Sequence, residues 1–128
     1  MQVGDTLSWE RTFTVDEVLQ FGKLSGDQGI HHIEPGEQGR LLVQGLLTAT
    51  LPTKLGGDMN FIARQLVFDF LRPVFTGDTI RCVITITQFE RVNEHINMAA
   101  SWECHNQNGK PVLTGHAYGI IRETESDV

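Results

Sequence analysis

Residues 41–55 predict a helix that is apolar on nearly every side, and no other segment constrains the fold as strongly. Leucine and valine recur through it, interrupted mainly by small residues at Gly45, Thr48 and Thr50. A helix of this kind is a buried one. We expect Pro52, which has no backbone donor, to kink or end it, and Gly56-Gly57 to close it. A sheet that covers such a helix must curve around it, because a flat sheet would leave one side of the helix in water.

The second half of the chain has the alternating pattern of strands. Residues 79–89 are the clearest case, and one face of this run is formed by Ile80, Cys82, Ile84 and Ile86. Further strands are predicted over residues 61–70, 95–105 and 112–121. Thr76-Gly77-Asp78 predicts a turn, and Asn108-Gly109 is a strong hairpin signal between the last two strands.

The first forty residues predict a strand, a helix and a loop. Residues 6–13 contain β-branched and aromatic side chains and predict an edge strand. Thr14 followed by Glu17 has the spacing of a capping box, so a helix should begin there and end at Ser25-Gly26. Residues 28–40 have no periodicity and predict a loop. Helices that precede a run of antiparallel strands indicate an α+β fold, with the buried helix in the concave face of a curved sheet.

Composition limits the possible partners. The chain has 128 residues, with 10 Lys and Arg against 16 Asp and Glu, which is the size of one domain spanning residues 1–128. It contains no basic run, so we expect neither nucleic acid nor a membrane surface as a partner. Cys82 and Cys104 lack CxxC spacing, which predicts no disulfide framework and no zinc site.

The cysteine content, the first residues and the lengths of the apolar runs favour a location in the cytoplasm. Two isolated cysteines suit a reducing compartment. The first residues do not read as a signal peptide, and no run approaches the roughly 18 apolar residues of a membrane span. The acidic segment at residues 123–128 is expected to fray.

The segment from Ser25 to His32 holds the candidate reactive groups. Asp27 lies in a turn-forming Ser-Gly-Asp sequence just past a predicted helix end, and His32 follows five residues later. Loops between rigid elements often carry catalytic side chains. His31 is the alternative to His32, and Asp27 could be a structural turn residue. Gly45 opens the apolar helix, where its N–H could bind an oxyanion, although a glycine there could equally allow close packing.

Three motifs occur in order along the chain: Ser25-Gly26-Asp27 with His32, Val43-Gln44-Gly45-Leu46-Leu47, and the FLRPVFTGDT run at residues 70–79. Together they resemble the MaoC-like, (R)-specific enoyl-CoA hydratases over roughly residues 5–121. The resemblance implies a hotdog fold, with a curved antiparallel sheet wrapped around one long central helix. It also implies a homodimer or larger assembly whose active site can use both subunits.

The family's reaction interconverts 2-enoyl and 3-hydroxyacyl thioesters of CoA or acyl-carrier protein, without a metal or organic cofactor. By the resemblance, Asp27 and His32 match the catalytic pair, and Gly45 matches the glycine whose N–H donates to the thioester carbonyl. Thr53 lies where the family commonly has a serine that supports the catalytic hydrogen bonds, although it could be an ordinary helix-end hydroxyl. The resemblance does not decide whether Asp27 or His32 activates the water.

Two other functions are possible. A hotdog thioesterase would release a free thiol, but residues 41–55 contain no carboxylate, whereas some hotdog thioesterases use a helix-borne Asp or Glu. A non-catalytic acyl-thioester binding module is suggested by departures from the family. The chain has Gly29 and Ile30 where the family usually has Asn-Pro, and Gln44 where it usually has His. The presence of Asp27 and His32 argues against such a module.

Overall fold

Five antiparallel strands form one sheet in this computed structural model, which describes residues 1–122. The strands are β1 (Thr6–Thr12), β2 (Phe61–Phe70), β3 (Thr79–Val92), β4 (His95–His105) and β5 (Pro111–Arg122). Their spatial order is β1-β3-β4-β5-β2, so β1 and β2 are the edges of the sheet. All five predicted strands are confirmed, with small differences at their ends. The predicted frayed tail at residues 123–128 lies outside the described residues.

The first helix, α1 (Val15–Ser25), begins and ends where its capping residues predict. The Thr14 hydroxyl accepts a hydrogen bond from the Glu17 N–H at 3.2 Å, and the Glu17 carboxylate accepts one from the Thr14 N–H at 2.9 Å. These reciprocal bonds satisfy donors that a helix start leaves unpaired. Gly26 ends the helix in the left-handed conformation, with φ of 81°. The chain therefore leaves α1 in a defined direction just before Asp27.

The central helix is broken into α2 (Gly45–Thr48) and α3 (Thr50–Asp58). Pro52 explains the break, because its ring would clash with the carbonyl four residues earlier in a continuous helix. The prediction that Gly56-Gly57 closes the helix is wrong by a short distance, since α3 continues to Asp58. No helix within residues 1–122 is long and apolar enough to cross a membrane.

Two further expectations for this segment are wrong. Residues 41–44 are not helical, because tertiary pairing holds them extended: Leu42 forms a β-bridge with Phe75. The helix is also not buried on every side, because Leu46 is 63% exposed. The buried helix residues are Leu47, Thr48, Leu51, Pro52 and Leu55.

The core lies between the broken helix and the concave face of the sheet. The alternating residues predicted for one face of β3 are all buried: Ile80, Cys82, Ile84 and Ile86. They belong to one apolar cluster with Leu47, Leu51 and Leu55 of the helix. At the sheet edge, the indole N–H of Trp9 donates to the Leu51 carbonyl at 2.9 Å and ties β1 to α3. This arrangement is the predicted α+β hotdog fold.

The two cysteines should be unreactive in the folded protein. Cys82 and Cys104 are buried and directly opposite each other on β3 and β4. A hydrogen bond with Cys82, then burial and the charge interaction with Cys82, raise the pKa of the Cys104 thiol far above its ordinary range. Because the thiolate is the reactive form, iodoacetamide at about pH 8 should label both thiols only after unfolding in guanidinium. Mass spectrometry measures this, and fast labelling of the folded protein would contradict it.

Candidate functional site

Asp27 and His32 lie together in the segment that follows α1. The Asp27 N–H donates to the Ser25 hydroxyl at 3.0 Å, which shapes the turn after the helix. His32 closes a 3₁₀ turn, Ile30–His32. The Asp27 Oδ2 and the His32 Nε2 are 3.7 Å apart, with the Asp27 side chain 54% exposed and that of His32 6% exposed. The five-residue offset thus places a solvent-facing carboxylate beside a buried imidazole.

One hydrogen bond sets the orientation and the tautomer of His32. Its Nδ1 lies 2.6 Å from the Leu42 carbonyl oxygen. A carbonyl can only accept, so Nδ1 carries a proton. In the neutral ring Nε2 then has a free lone pair, and it faces Asp27. The ring is therefore arranged to take up a proton at Nε2 and to return it from the same atom.

His31, the alternative histidine, has a different environment. It is exposed, and its ring packs edge-on against His32 with centroids 4.0 Å apart. A Cβ atom at position 29 would lie 2.9 Å from the His31 Cε1. Gly29 therefore leaves space for the His31 ring, which gives this departure from the family a steric explanation.

Asp27 and His32 line a cavity of about 150 Å³, called here the histidine cavity. Its other walls come from α1, from the loop after it and from the residue before α2: Val18, Leu19, Gly22, Lys23, Gln28, Ile33 and Gln44. Gln44 is a buried polar residue, and the sequence alone predicted no role for it in the site. The sequence signal for a role of Gln44 is its position as the one amide side chain among the leucines and valines of residues 41–47. Within residues 1–122, no group of three or more His, Cys, Asp or Glu is placed to hold a metal ion.

Gly45 begins α2 and lines a second cavity, of about 260 Å³. A Cβ there would lie 2.9 Å from the Phe70 Cε1, so close packing alone accounts for a glycine at this position. N–H groups in the first turn of a helix have no acceptor within that helix. Because α2 has four residues, its dipole is small, and any attraction for an anion rests on the N–H groups themselves.

Thr53 lies on a third cavity, of about 230 Å³, between α3 and the sheet. We call it the apolar cavity, because its lining is dominated by residues such as Met59, Phe61, Met98 and Trp102. The Thr53 hydroxyl donates to the Thr50 carbonyl at 3.2 Å. Among residues 1–122, the chain thus brings Asp27 and His32 together but places Gly45 and Thr53 on separate cavities.

Comparisons with known proteins agree with this fold. No family model matches the chain. A mitochondrial 3-hydroxyacyl-(acyl-carrier-protein) dehydratase of Solanum lycopersicum, FERN, is 25% identical over 131 residues, covering 94% of this chain and 78% of FERN. The (R)-hydratase from A. caviae involved in PHA biosynthesis superposes with a TM-score of 0.82 at 25% identity, over 94% of this chain and 96% of that chain.

A MaoC-like dehydratase from Rhodospirillum rubrum has a TM-score of 0.77 at 16% identity, over 97% of this chain and 94% of that chain. At that identity the similarity concerns the fold alone. Taken together, the three proteins confirm the resemblance to MaoC-like, (R)-specific hydratases that the sequence motifs predict.

Proposed function

We propose that this chain is a hydratase or dehydratase that interconverts 2-enoyl and 3-hydroxyacyl thioesters, carried on CoA or acyl-carrier protein. The observation that carries this proposal is the buried His32, whose Nε2 faces the Asp27 carboxylate across 3.7 Å in a cavity. The names of FERN and of the A. caviae hydratase support the class of reaction.

The proposed chemistry uses His32 as the base. In the hydration direction, Nε2 takes a proton from water as the water oxygen bonds to C3 of the enoyl thioester. The electrons of the double bond move toward the thioester and form an enolate-like oxyanion, and C2 then gains a proton from the His32 and Asp27 pair. Asp27, the more exposed of the two, is placed to take part in this proton exchange through the His32 Nε2. Dehydration runs the same steps in reverse.

The remaining candidate residues are proposed to bind the substrate. The Gly45 N–H would donate to the thioester carbonyl, where negative charge develops. The apolar cavity would hold the acyl chain, with Thr53 in its wall. Gly45 lies on α2 and Thr53 on α3, so a substrate that reaches both residues would run along both parts of the broken helix.

We also propose a homodimer formed at β2. This strand is an edge of the sheet and leaves large apolar side chains exposed at Ile62, Leu66 and Phe70. An uncovered edge strand with exposed apolar residues is a ready site for pairing with another chain. Pairing with β2 of a second copy would occupy the unpaired backbone groups of this edge and cover its apolar side chains in a symmetric contact.

Crotonyl-CoA tests the proposed reaction directly. Mixing it with the purified protein should remove the enoyl-thioester absorbance without releasing a thiol, which a thiol reagent follows in a parallel sample. Thiol release would instead establish a thioesterase. If neither the enoyl absorbance nor the free thiol changed, for a series of acyl lengths on CoA and on acyl-carrier protein, the proposal would be contradicted and a binding module favoured.

One structural feature disfavours the thioesterase. From Gly45 to Asp58, which α2 and α3 span, the only carboxylate is Asp58 at the last position. Its Oδ2 forms an ion pair with the Lys54 Nζ at 2.6 Å, on the surface. A nucleophile or base on the central helix would have to come from another residue type.

A further inference from the structure

The Gln44 side chain is fully buried beside the histidine cavity, and its amide has a defined orientation. Its Nε2 donates to the Val18 carbonyl oxygen at 2.9 Å. Because that carbonyl can only accept, the nitrogen must face Val18 and the oxygen must face away from it. The amide therefore has one satisfied end and one end that is free to bind something else.

The free end is an acceptor without a donor. Among residues 1–122, the Gln44 Oε1 is buried and has no hydrogen-bond partner. Buried polar atoms in folded proteins are nearly always paired, so an unpaired acceptor on a residue that lines a cavity indicates a ligand. Gln44 lines the histidine cavity together with Asp27 and His32, and this cavity, of about 150 Å³, is large enough for several water molecules.

The chemistry of Oε1 identifies the ligand group. It can only accept a hydrogen bond, so it cannot bind a thioester carbonyl or an enolate oxygen, which are acceptors themselves. Water and hydroxyl groups are donors that fit. In the reaction proposed above, the reacting oxygen is a water molecule in one direction and the 3-hydroxyl group in the other.

We propose that Gln44 binds and orients the reacting oxygen, an inference that rests on the proposed hydratase function. Water would donate one O–H to the His32 Nε2 and the other to the Gln44 Oε1, which leaves a lone pair to form the bond to C3. The proton passes to His32, and the O–H held by Gln44 becomes the 3-hydroxyl of the product. In reverse, that hydroxyl donates to Gln44 while it gains the His32 proton and leaves as water.

Gln44→Met tests this role, because methionine has a similar length and no acceptor oxygen. We expect kcat to fall about tenfold to a hundredfold with little change in KM, since the lost bond serves the reacting water and not substrate binding. Gln20→Met is the matched control: Gln20 is exposed on α1, where its amide donates to Asp16 at 2.6 Å, and kcat should not change. Unaltered kcat in Gln44→Met, with wild-type activity present, would overturn this inference alone.

Gln44→Glu gives a second test, in which pH controls whether position 44 keeps its hydrogen bonds. A protonated glutamic acid can still donate to Val18 and accept from water, but an ionised one places charge against the Val18 carbonyl. The ratio of its kcat to the wild-type value should therefore fall as pH rises, whereas the Gln44→Met ratio stays flat. Lys23, Asp27 and His32 are the titratable residues that line the cavity, and they are present in every variant. Flat ratios for both variants would contradict the proposal.

A crystal structure of the wild-type protein gives a test that does not depend on activity or on the folding of a variant. An ordered water should lie at hydrogen-bond distance, about 2.7–3.2 Å, from the Gln44 Oε1 and also contact the His32 Nε2. An empty site there would overturn the inference even if the enzyme hydrates crotonyl-CoA. If the water is present but no thioester is turned over, the proposed function fails and the binding site for water stands.

Discussion

Replacing His32 by asparagine should lower the rate of hydration by about a hundredfold to ten-thousandfold, the range expected when a general base is removed. The asparagine amide can still donate to the Leu42 carbonyl, which now accepts from the His32 Nδ1 at 2.6 Å. It has no basic nitrogen in the place of Nε2, so it cannot take the proton from water. The measurement is kcat with crotonyl-CoA, alongside the melting temperature by circular dichroism.

The neighbouring histidine provides the matched control. His31 is exposed, and its ring contacts His32 at a centroid distance of 4.0 Å. His31→Asn should therefore keep most of the activity. If His32→Asn kept full turnover while His31→Asn lost it, the two histidines would exchange roles. Loss of folding in His32→Asn would be visible as a lost melting transition, and His32→Gln would then replace it in the assay.

The largest expected effect on stability is at Gly115 and Gly119 in β5. A Cβ at Gly115 would lie 2.0 Å from the Val67 carbonyl oxygen, and a Cβ at Gly119 would lie 2.1 Å from the Ile62 carbonyl oxygen. Both obstacles are backbone atoms of β2, so they cannot move without disturbing the β2–β5 pairing. We expect each glycine-to-alanine change to lower the free energy of unfolding by about 3 kcal/mol or more, measured by urea denaturation.

Gly57→Ala is the control for these two substitutions. Gly57 lies on α3, and a Cβ there would have no heavy atom within 4 Å. Alanine favours a helix over glycine by about 1 kcal/mol, so this variant should be as stable as the wild type or slightly more stable. If Gly115→Ala and Gly119→Ala also unfolded at the wild-type urea concentration, β2 could not lie against β5 as described. The proposed dimer edge would then need a different strand.

Features that depend on neighbouring residues could be predicted from the sequence. The Thr14 and Glu17 capping box places the start of α1, and Gly26 ends it in the left-handed conformation. The strands follow from their alternating pattern, because one face of each strand packs in the core while the other faces away from it. The turn after α1 could be recognised from Ser25-Gly26 in the same way, whereas the choice of His32 over His31 came from the resemblance to the hydratases.

Features that depend on distant residues needed the tertiary structure. Residues 41–44 have a helical composition, yet the Val43 N–H donates to the Val74 carbonyl at 2.8 Å and the segment stays extended. The amide nitrogen of Gln44 donates to Val18, 26 positions earlier in the chain, and this contact leaves the amide oxygen without a partner. Gly45 and Thr53 proved to line different cavities from Asp27 because the walls come from separate elements.

The sequence by itself determined the order of the helix and strands, which rests on local periodicity, capping and turn chemistry that act over a few residues. Its three motifs carried the resemblance to a hotdog family, and the choice of Asp27 and His32 as candidate residues came through that resemblance. Only the tertiary structure decided which nitrogen of His32 is free, where the central helix breaks and which polar atom is left without a partner. Such features depend on which groups from distant parts of the chain share one buried space, and hydrogen bonds in that space must be satisfied together.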